Sequence, residues 1–220
     1  MKFENTEVWG FEHALRGMRN PYESWDKSDS GLVWKENESG EDEQVFKIGE
    51  NDLKLAQSLI RAGSEHRKFL RQIFVSVDIT APMFFWLEFD TYKVGTVSNS
   101  TSKMHKLAST PITKECFEMD DFDFPDMEMI FIWNDLCSVL EQLRLKYNET
   151  KDKQFWKELI RLLPESWLQK RTITMNYENI LNMVRQRSNH KLSEWSKSFI
   201  EWARSLPYAE KLIFIDGGKE

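Results

Sequence analysis

Asn176–Arg187 reads NYENILNMVRQR. At about 100° per residue, Asn176, Asn179, Met183 and Arg187 share one stripe, which Asn182 and Gln186 widen to one side. Tyr177, Ile180, Leu181 and Val184 make the opposite, apolar face. The segment is therefore expected to be a helix with a core side and a hydrogen-bonding side. Amides offer both donors and acceptors, and arginine offers a fixed fork of donors for oxyanions or a heterocycle carbonyl. Such a face suits a nucleotide or flavin ring; a solvated surface helix has the same pattern.

Working outward, a chain of 220 residues can bury a full core, and one domain over 1–220 is the expectation. Hydrophobic residues make up 40%, and nine Trp with fifteen Phe give an aromatic-rich interior. The net charge of -6 argues against non-specific binding of nucleic acid. Cys116 and Cys137 stand in unrelated contexts without a C-x-x-C, which fits a reducing compartment and supplies no metal-ligand cluster. His13, His66, His105 and His190 are scattered. No apolar run is long enough to span a membrane, and MKFENTEVWGFEH lacks the basic and apolar regions of a signal peptide. A soluble, cytoplasmic protein is expected.

Along the chain, Asn20-Pro21 and Ser30-Gly31 mark turns, and Arg16 and Arg19 are expected to be a surface pair with local carboxylates. The acidic run KENESGEDEQVFKIGE, 35–50, reads as a solvated loop or hairpin. A short helix follows, with Asp52 as its N-cap, Leu53, Ala56, Leu59 and Ile60 at helical spacing, and an end near Gly63. Ile73, Val75, Val77 and Ile79 alternate with Phe74, Ser76 and Asp78, the period of a half-buried strand that Pro82 ends. Residues 83–98 are aromatic and β-branched and fit helix or strand. After a polar connection, Pro125-Asp126 reads as the start of a helix over about 127–148 with Ile130, Trp133, Leu136, Leu140, Leu143 and Tyr147 on its core face. A second helix is expected over about 151–163. Trp195, Phe199 and Trp202 form a core or subunit-interface stripe.

Two stretches carry a family resemblance: Leu162–Arg187, LLPESWLQKRTITMNYENILNMVRQR, and Phe74–His105, FVSVDITAPMFFWLEFDTYKVGTVSNSTSKMH. The first resembles the C-terminal motif of the flavin-dependent thymidylate synthases, in which Leu-Pro precedes a strand-like stretch and then Asn, a second Asn and Arg. Leu163, Pro164, Asn176, Asn182 and Arg187 match it without a gap. The second resembles that family's strand ending in Ala-Pro, matched by Ala81 and Pro82, followed by its signature of basic residues, Ser, Asn, Ser and Arg on Thr91 to Lys103. From first match to last, the resemblance spans roughly half of the chain, in the family's order.

The resemblance implies an α/β (α+β) fold of the thymidylate synthase complementing protein type: a small, largely antiparallel sheet flanked by helices, with a helix after Ala-Pro. It also implies a homotetramer with active sites at subunit interfaces, and methylation of dUMP to dTMP with FAD as cofactor and methylene-tetrahydrofolate and NADPH as co-substrates. No cysteine nucleophile is then required. Arg187 would be catalytic, polarising the uracil ring and stabilising its anionic form; a positioned guanidinium suits developing negative charge. Tyr92, Lys93, Thr96, Asn176, Glu178 and Asn182 match flavin-contacting positions, Glu178 standing where the family often has arginine. Thr91, Asn99, Thr101, Ser102, Lys103, Arg161 and Arg187 match substrate-contacting positions, Arg161 lying one residue beyond the family's arginine. His190 lies one residue before a family histidine. The signature itself departs from the family: Thr91, Tyr92 and Lys93 replace Arg-His-Arg, Thr96 replaces Ser, Ser98 replaces Asn, Thr101 replaces Ser and Lys103 replaces the closing Arg. Hydroxyls and a cation remain, but the bidentate forks are lost. Read by itself, SNSTSK is equally a Ser/Thr-rich turn capping a following helix. A divergent flavoprotein acting on another pyrimidine nucleotide, or a non-catalytic binding protein that kept the fold, are the rival readings.

Overall fold

The computed structural model describes residues 1–36, 39–119 and 127–215. In chain order the elements are β1 (Lys2–Trp9), α1 (Phe11–Met18), β2 (Gly31–Glu36), β3 (Asp42–Lys47), α2 (Glu50–Arg61), β4 (Phe74–Pro82), α3 (Met83–Phe89), β5 (Val97–Ser100) and α4 (Lys103–Lys106). After them come α5 (Met127–Thr150), α6 (Lys153–Leu162), β6 (Leu168–Asn176), α7 (Tyr177–Arg187), a π-helical turn (Glu194–Phe199), α8 (Ile200–Ser205) and α9 (Ala209–Leu212). Four strands form a small antiparallel sheet in the order β1-β4-β6-β5, and β2 and β3 make a separate antiparallel hairpin with Leu32 opposite Phe46 and Trp34 opposite Gln44. The hairpin overlaps the acidic run but begins at Gly31, ahead of it, and β1 is a strand that the sequence reading did not anticipate.

The alternation in β4 is the expected one: Val75, Val77, Ile79 and Ala81 are buried while Ser76, Asp78 and Thr80 are only partly so. Pro82 ends the strand in extended conformation and serves as N-cap of α3, settling 83–89 as helix. Its fixed φ and missing N–H suit the first position before a helix and not the middle of a ladder.

The chain divides into two compact units. One comprises Met1–Glu4, Asp78–Thr91 and Ser98–Thr172. Its apolar centre is Leu107, Ile112, Phe117, Leu140 and Leu159, against which Trp133, Leu136, Leu143 and Trp167 pack. The core face expected for α5 is the observed one, with Leu140 fully buried and Ile130, Trp133, Leu136, Leu143 and Tyr147 half-buried. Pro125-Asp126 lies outside the described residues.

The other unit comprises Asn5–Val77, Tyr92–Val97 and Ile173–Glu220. Phe11 meets the rings of Tyr177 and Tyr208 edge-on at 5.6 Å each, and the Tyr177 hydroxyl donates to the Pro207 carbonyl at 2.7 Å. Trp195, Phe199 and Trp202 are buried, and their rings follow one another at 5.1 and 5.4 Å, as a core stripe does.

Two expectations are corrected in this unit. Asp52 is not an N-cap: Gly49 holds that position, and Asp52 sits inside the first turn of α2 with its carboxylate buried against Arg19 Nε at 2.5 Å. Ser28 and Ser30 each donate to the other carboxylate oxygen at 2.6 Å. The orphan amides at the start of α2 go to Asp29 instead, whose carboxylate accepts from Asn51 and Asp52. Arg19 is accordingly no surface residue; only Arg16 is exposed, beside Glu12 and His13. Spacing within one helix could not reveal this pair, because its members are 33 residues apart.

Burial alone would raise the Asp52 carboxyl, but the hydroxyls of Ser28 and Ser30 and the Arg19 guanidinium outweigh it and hold the group below its ordinary 3.8. A carboxyl depressed in the folded state contributes stability that is present above its unfolded value and is lost as pH falls through the folded one. Asp52→Asn is therefore expected to lower the thermal midpoint at neutral pH and to narrow its difference from wild type progressively below about pH 4. Parallel melting curves for the two proteins would show instead that the carboxylate charge contributes nothing.

Candidate active site

The segment 92–97 and α7 come together within one unit. Asn176 caps α7: its Oδ1 accepts from the Asn179 amide at 3.0 Å, and Asn179 Oδ1 accepts from the Asn176 amide at 3.2 Å, a reciprocal capping box. The Asn179 side chain also donates to the Val94 carbonyl at 2.7 Å, pinning the 92–97 loop on the helix start. Gly95 sits at φ +77°, and a Cβ there would lie 2.9 Å from Asn176 Nδ2 and 3.0 Å from Asn179 Oδ1. Only glycine lets the loop lie this close in that conformation. Thr96 turns its hydroxyl back to the Tyr92 carbonyl, closing the loop on itself.

At the far end of α7, Arg187 Nε donates to the Tyr92 hydroxyl at 2.9 Å, and that hydroxyl lies 2.9 Å from Gln186 Oε1. The guanidinium faces the Trp195 ring at 5.1 Å and the Tyr92 ring at 5.6 Å, and the two rings are 6.0 Å apart. A cation against two aromatic faces is held in direction as well as in place. Lys93 is exposed beside this cluster in sequence.

The apolar face of the helix is the expected one, with Tyr177, Ile180, Leu181 and Val184 buried. The opposite stripe is only partly open to solvent: Asn176 and Met183 are buried, Asn179, Asn182 and Arg187 are half-buried, and Gln186 is exposed. Glu178, 6% exposed, pairs with the buried Arg67 at 3.3 Å and with the half-exposed Arg71. Arg67 Nη2 also donates to Asn182 Oδ1 at 3.1 Å. Asn176 thus spends its side chain on the cap and Glu178 on two guanidiniums, whereas Asn182 gives up its carbonyl oxygen and keeps its NH2 as a donor. Arg67 and Arg71, which the sequence reading did not single out, bring two cations to Glu178.

The other unit contains the second half of the signature. Thr101, Ser102 and Lys103 line a cleft of about 650 Å³ together with Thr80, Lys106, Cys116 and Trp167. That volume lies in the range of small-molecule sites. Ser102 caps the short α4 by accepting from the His105 amide at 3.3 Å, so the helix-capping turn read from SNSTSK is present and lines a cleft as well. Lys103 is half-buried; burial, reinforced by the Arg171 guanidinium, lowers its ammonium below the ordinary value. Asn99 is exposed on β5, and Thr91 is exposed with its hydroxyl donating to the Glu88 carbonyl at 2.7 Å. Arg161 is exposed on α6 and pairs with Glu158 one turn away. The free Cys116 and Cys137 are half-buried. Among the described residues no group of His, Cys, Asp or Glu is placed to hold a metal ion, and no helix is long and apolar enough to cross a membrane.

No family model and no curated protein matches the sequence. Solved structures do match in shape. The flavin-dependent thymidylate synthase ThyX of Helicobacter pylori, crystallised with FAD and dUMP, superposes over 100% of both chains with a TM-score of 0.69 at 19% identity. A second structure, thymidylate synthase X from the same organism with FAD and dUMP, gives 0.70 at 16% identity, again over 100% of both chains. Along its whole length the chain has the fold of the flavin-dependent thymidylate synthases.

Proposed function

We propose that this protein is a flavin-dependent thymidylate synthase-like enzyme that methylates dUMP, with FAD as cofactor and methylene-tetrahydrofolate and NADPH as co-substrates. The observation that carries the reading is the Tyr92–Arg187 contact, which joins the head of the signature to the arginine of the C-terminal motif 95 residues later. The shared fold with an enzyme crystallised with FAD and dUMP supports it.

In this reading Arg187, directed by Tyr92 and Trp195, stabilises negative charge developing on the pyrimidine ring; a donor already in place needs no reorganisation as the charge forms. Thr101, Ser102 and Lys103 hold the phosphate, with Asn99, Thr91 and Arg161 as outer substrate contacts. The donor set fits a flavin dinucleotide: Tyr92 offers an aromatic face, Lys93 and Arg71 offer cations for the diphosphate, and Asn182 and Thr96 offer polar contacts. Asn176 and Glu178 act one step back, shaping the loop and anchoring the arginines. FAD bound there would supply the reducing equivalents that turn the transferred one-carbon unit into a methyl group. Assembly as a cytoplasmic homotetramer belongs to the same proposal. A non-catalytic binding protein is the second reading, favoured by the commitment of Glu178 to Arg67 and Arg71.

Purified protein tests the two. A yellow preparation, or uptake of added FAD, with conversion of dUMP to dTMP supports the enzyme; a colourless protein that ignores FAD leaves the binding protein. Lys103→Ala is expected to weaken dUMP binding by about tenfold or more while flavin uptake stays the same, since a charge-assisted phosphate contact is lost. Calorimetric titration with dUMP reads this out, and an unchanged affinity returns SNSTSK to a plain capping turn.

A further inference from the structure

We propose that Gln169 and Arg171 on β6 are the positioning residues of the Thr101–Lys103 segment, so that the phosphate-binding geometry of this protein is set by the sheet and not by the segment itself. The proposal rests on the functional reading of the Lys103 cleft given above.

The segment is short and polar and runs into the single turn of α4, where the Ser102 cap is a contact local to that turn. What holds it lies on β6. The Thr101 amide donates to the Lys170 carbonyl at 2.9 Å, and the Gln169 side-chain amide donates to the Thr101 carbonyl at 2.8 Å. Both polar groups of the Thr101 backbone are thus fastened to one strand. Gln169 is itself oriented: its Oε1 accepts from Arg171 Nε at 3.0 Å, which determines which end of the amide faces Thr101. Arg171 is locked in turn. Asp90 takes its Nη1 at 2.7 Å, and its guanidinium lies 4.3 Å from the centre of the Trp86 ring. The Trp86 indole N–H donates to the carbonyls of Ala81 on β4 and Gln169 on β6 at 3.0 Å each, tying that ring to both strands.

Gln169 and Arg171 are 6% and 9% exposed, and buried polar side chains are retained where their bonds are made. A chain from Trp86 and Asp90 through Arg171 and Gln169 to Thr101 fixes the backbone from which Thr101, Ser102 and Lys103 project. Arg171 also adds positive potential at Lys103, which is why it contributes to lowering that ammonium. Two cations held near each other favour an anion between or beside them, and the chain compensates in this way for the forked arginine missing at position 103.

The test compares dUMP with deoxyuridine, which lacks the phosphate, by equilibrium titration of the full-length protein. Gln169→Glu keeps an acceptor for Arg171 but has no donor for Thr101; Gln169→Met removes both functions. Each is expected to weaken dUMP binding by about tenfold while changing deoxyuridine binding less than twofold, with KM for dUMP rising and kcat at saturation unchanged. Arg171→Lys, which keeps the charge but not the fork, is expected to fall between wild type and Gln169→Met. Equal weakening of both ligands would mean a general structural role and overturn the proposal, as would unchanged dUMP affinity in both Gln169 variants. Wild-type protein that binds deoxyuridine and dUMP equally would overturn the phosphate cradle and the positioning together, whereas loss confined to the variants separates the two.

Discussion

Replacing Arg187 with alanine is expected to lower dUMP methylation by about a hundredfold or more, the loss typical of one preorganised donor aimed at a developing anion. The structure constrains what else the change can do. Arg187 is half-buried, donates to the Tyr92 hydroxyl and stacks on two rings, so its removal also loosens the Tyr92–Trp195 cluster. Such contacts contribute about 0.5–2 kcal/mol, enough to shift a melting curve but too little to unfold the domain. Arg187→Lys separates the two effects: it retains a cation over the rings but cannot donate through a planar fork, so it should recover most of the thermal midpoint and little of the rate. The measurement is turnover with methylene-tetrahydrofolate and NADPH, alongside melting of all three proteins. A full rate in the alanine variant removes Arg187 from the chemistry, and parallel loss of rate and fold would make it a structural cation.

The largest expected effect on stability is at Glu178. Its carboxylate is 6% exposed as a residue and is shared by Arg67, whose side chain is 5% exposed, and Arg71, whose side chain is 53% exposed. Breaking a buried pair by deleting one partner leaves the other charge without compensation and costs about 3–5 kcal/mol. Most of that cost belongs to Arg67, because water screens Arg71 once the carboxylate is gone. Glu178→Ala is therefore expected to destabilise by about 3–5 kcal/mol in denaturant unfolding. Glu178→Arg, which installs the residue more usual in the resembling family, should be worse still because three guanidiniums would meet. Combining it with Arg71→Glu reverses the exposed half of the pair and should recover part of the loss. If Glu178→Ala unfolds at the wild-type denaturant concentration, the triad is neutral and its retention has another cause.

Much of this was readable in the residues. β4 was legible because alternation has one physical meaning when one face is buried, and α5 and α7 because apolar spacing near 3.6 leaves little other choice. Spacing likewise marked Trp195, Phe199 and Trp202 as a core or subunit-interface stripe, and their burial within the chain makes it a core one. What spacing cannot express is partnership across the chain. That Asp52 turns away from capping toward Arg19, and that Glu178 is buried between two arginines more than 100 residues upstream, depends on which elements fold against each other. The same holds for the site. The family resemblance singled out Tyr92 and Lys103, and spacing together with that resemblance singled out Arg187, but only the packing of the 92–97 loop on α7 brings Tyr92 to Arg187, through a glycine that permits a 2.9 Å approach. Gln169 and Arg171 were invisible beforehand for a related reason. On a strand they read as two polar residues on the buried side of an alternation, and their meaning comes from Trp86, Asp90 and Thr101, which tertiary contact alone supplies. Local periodicity determines which elements form, since each residue's neighbours within one turn or one pleat are known from the chain. Long-range contact determines which polar groups are satisfied by which, and so which of them remain to meet a ligand.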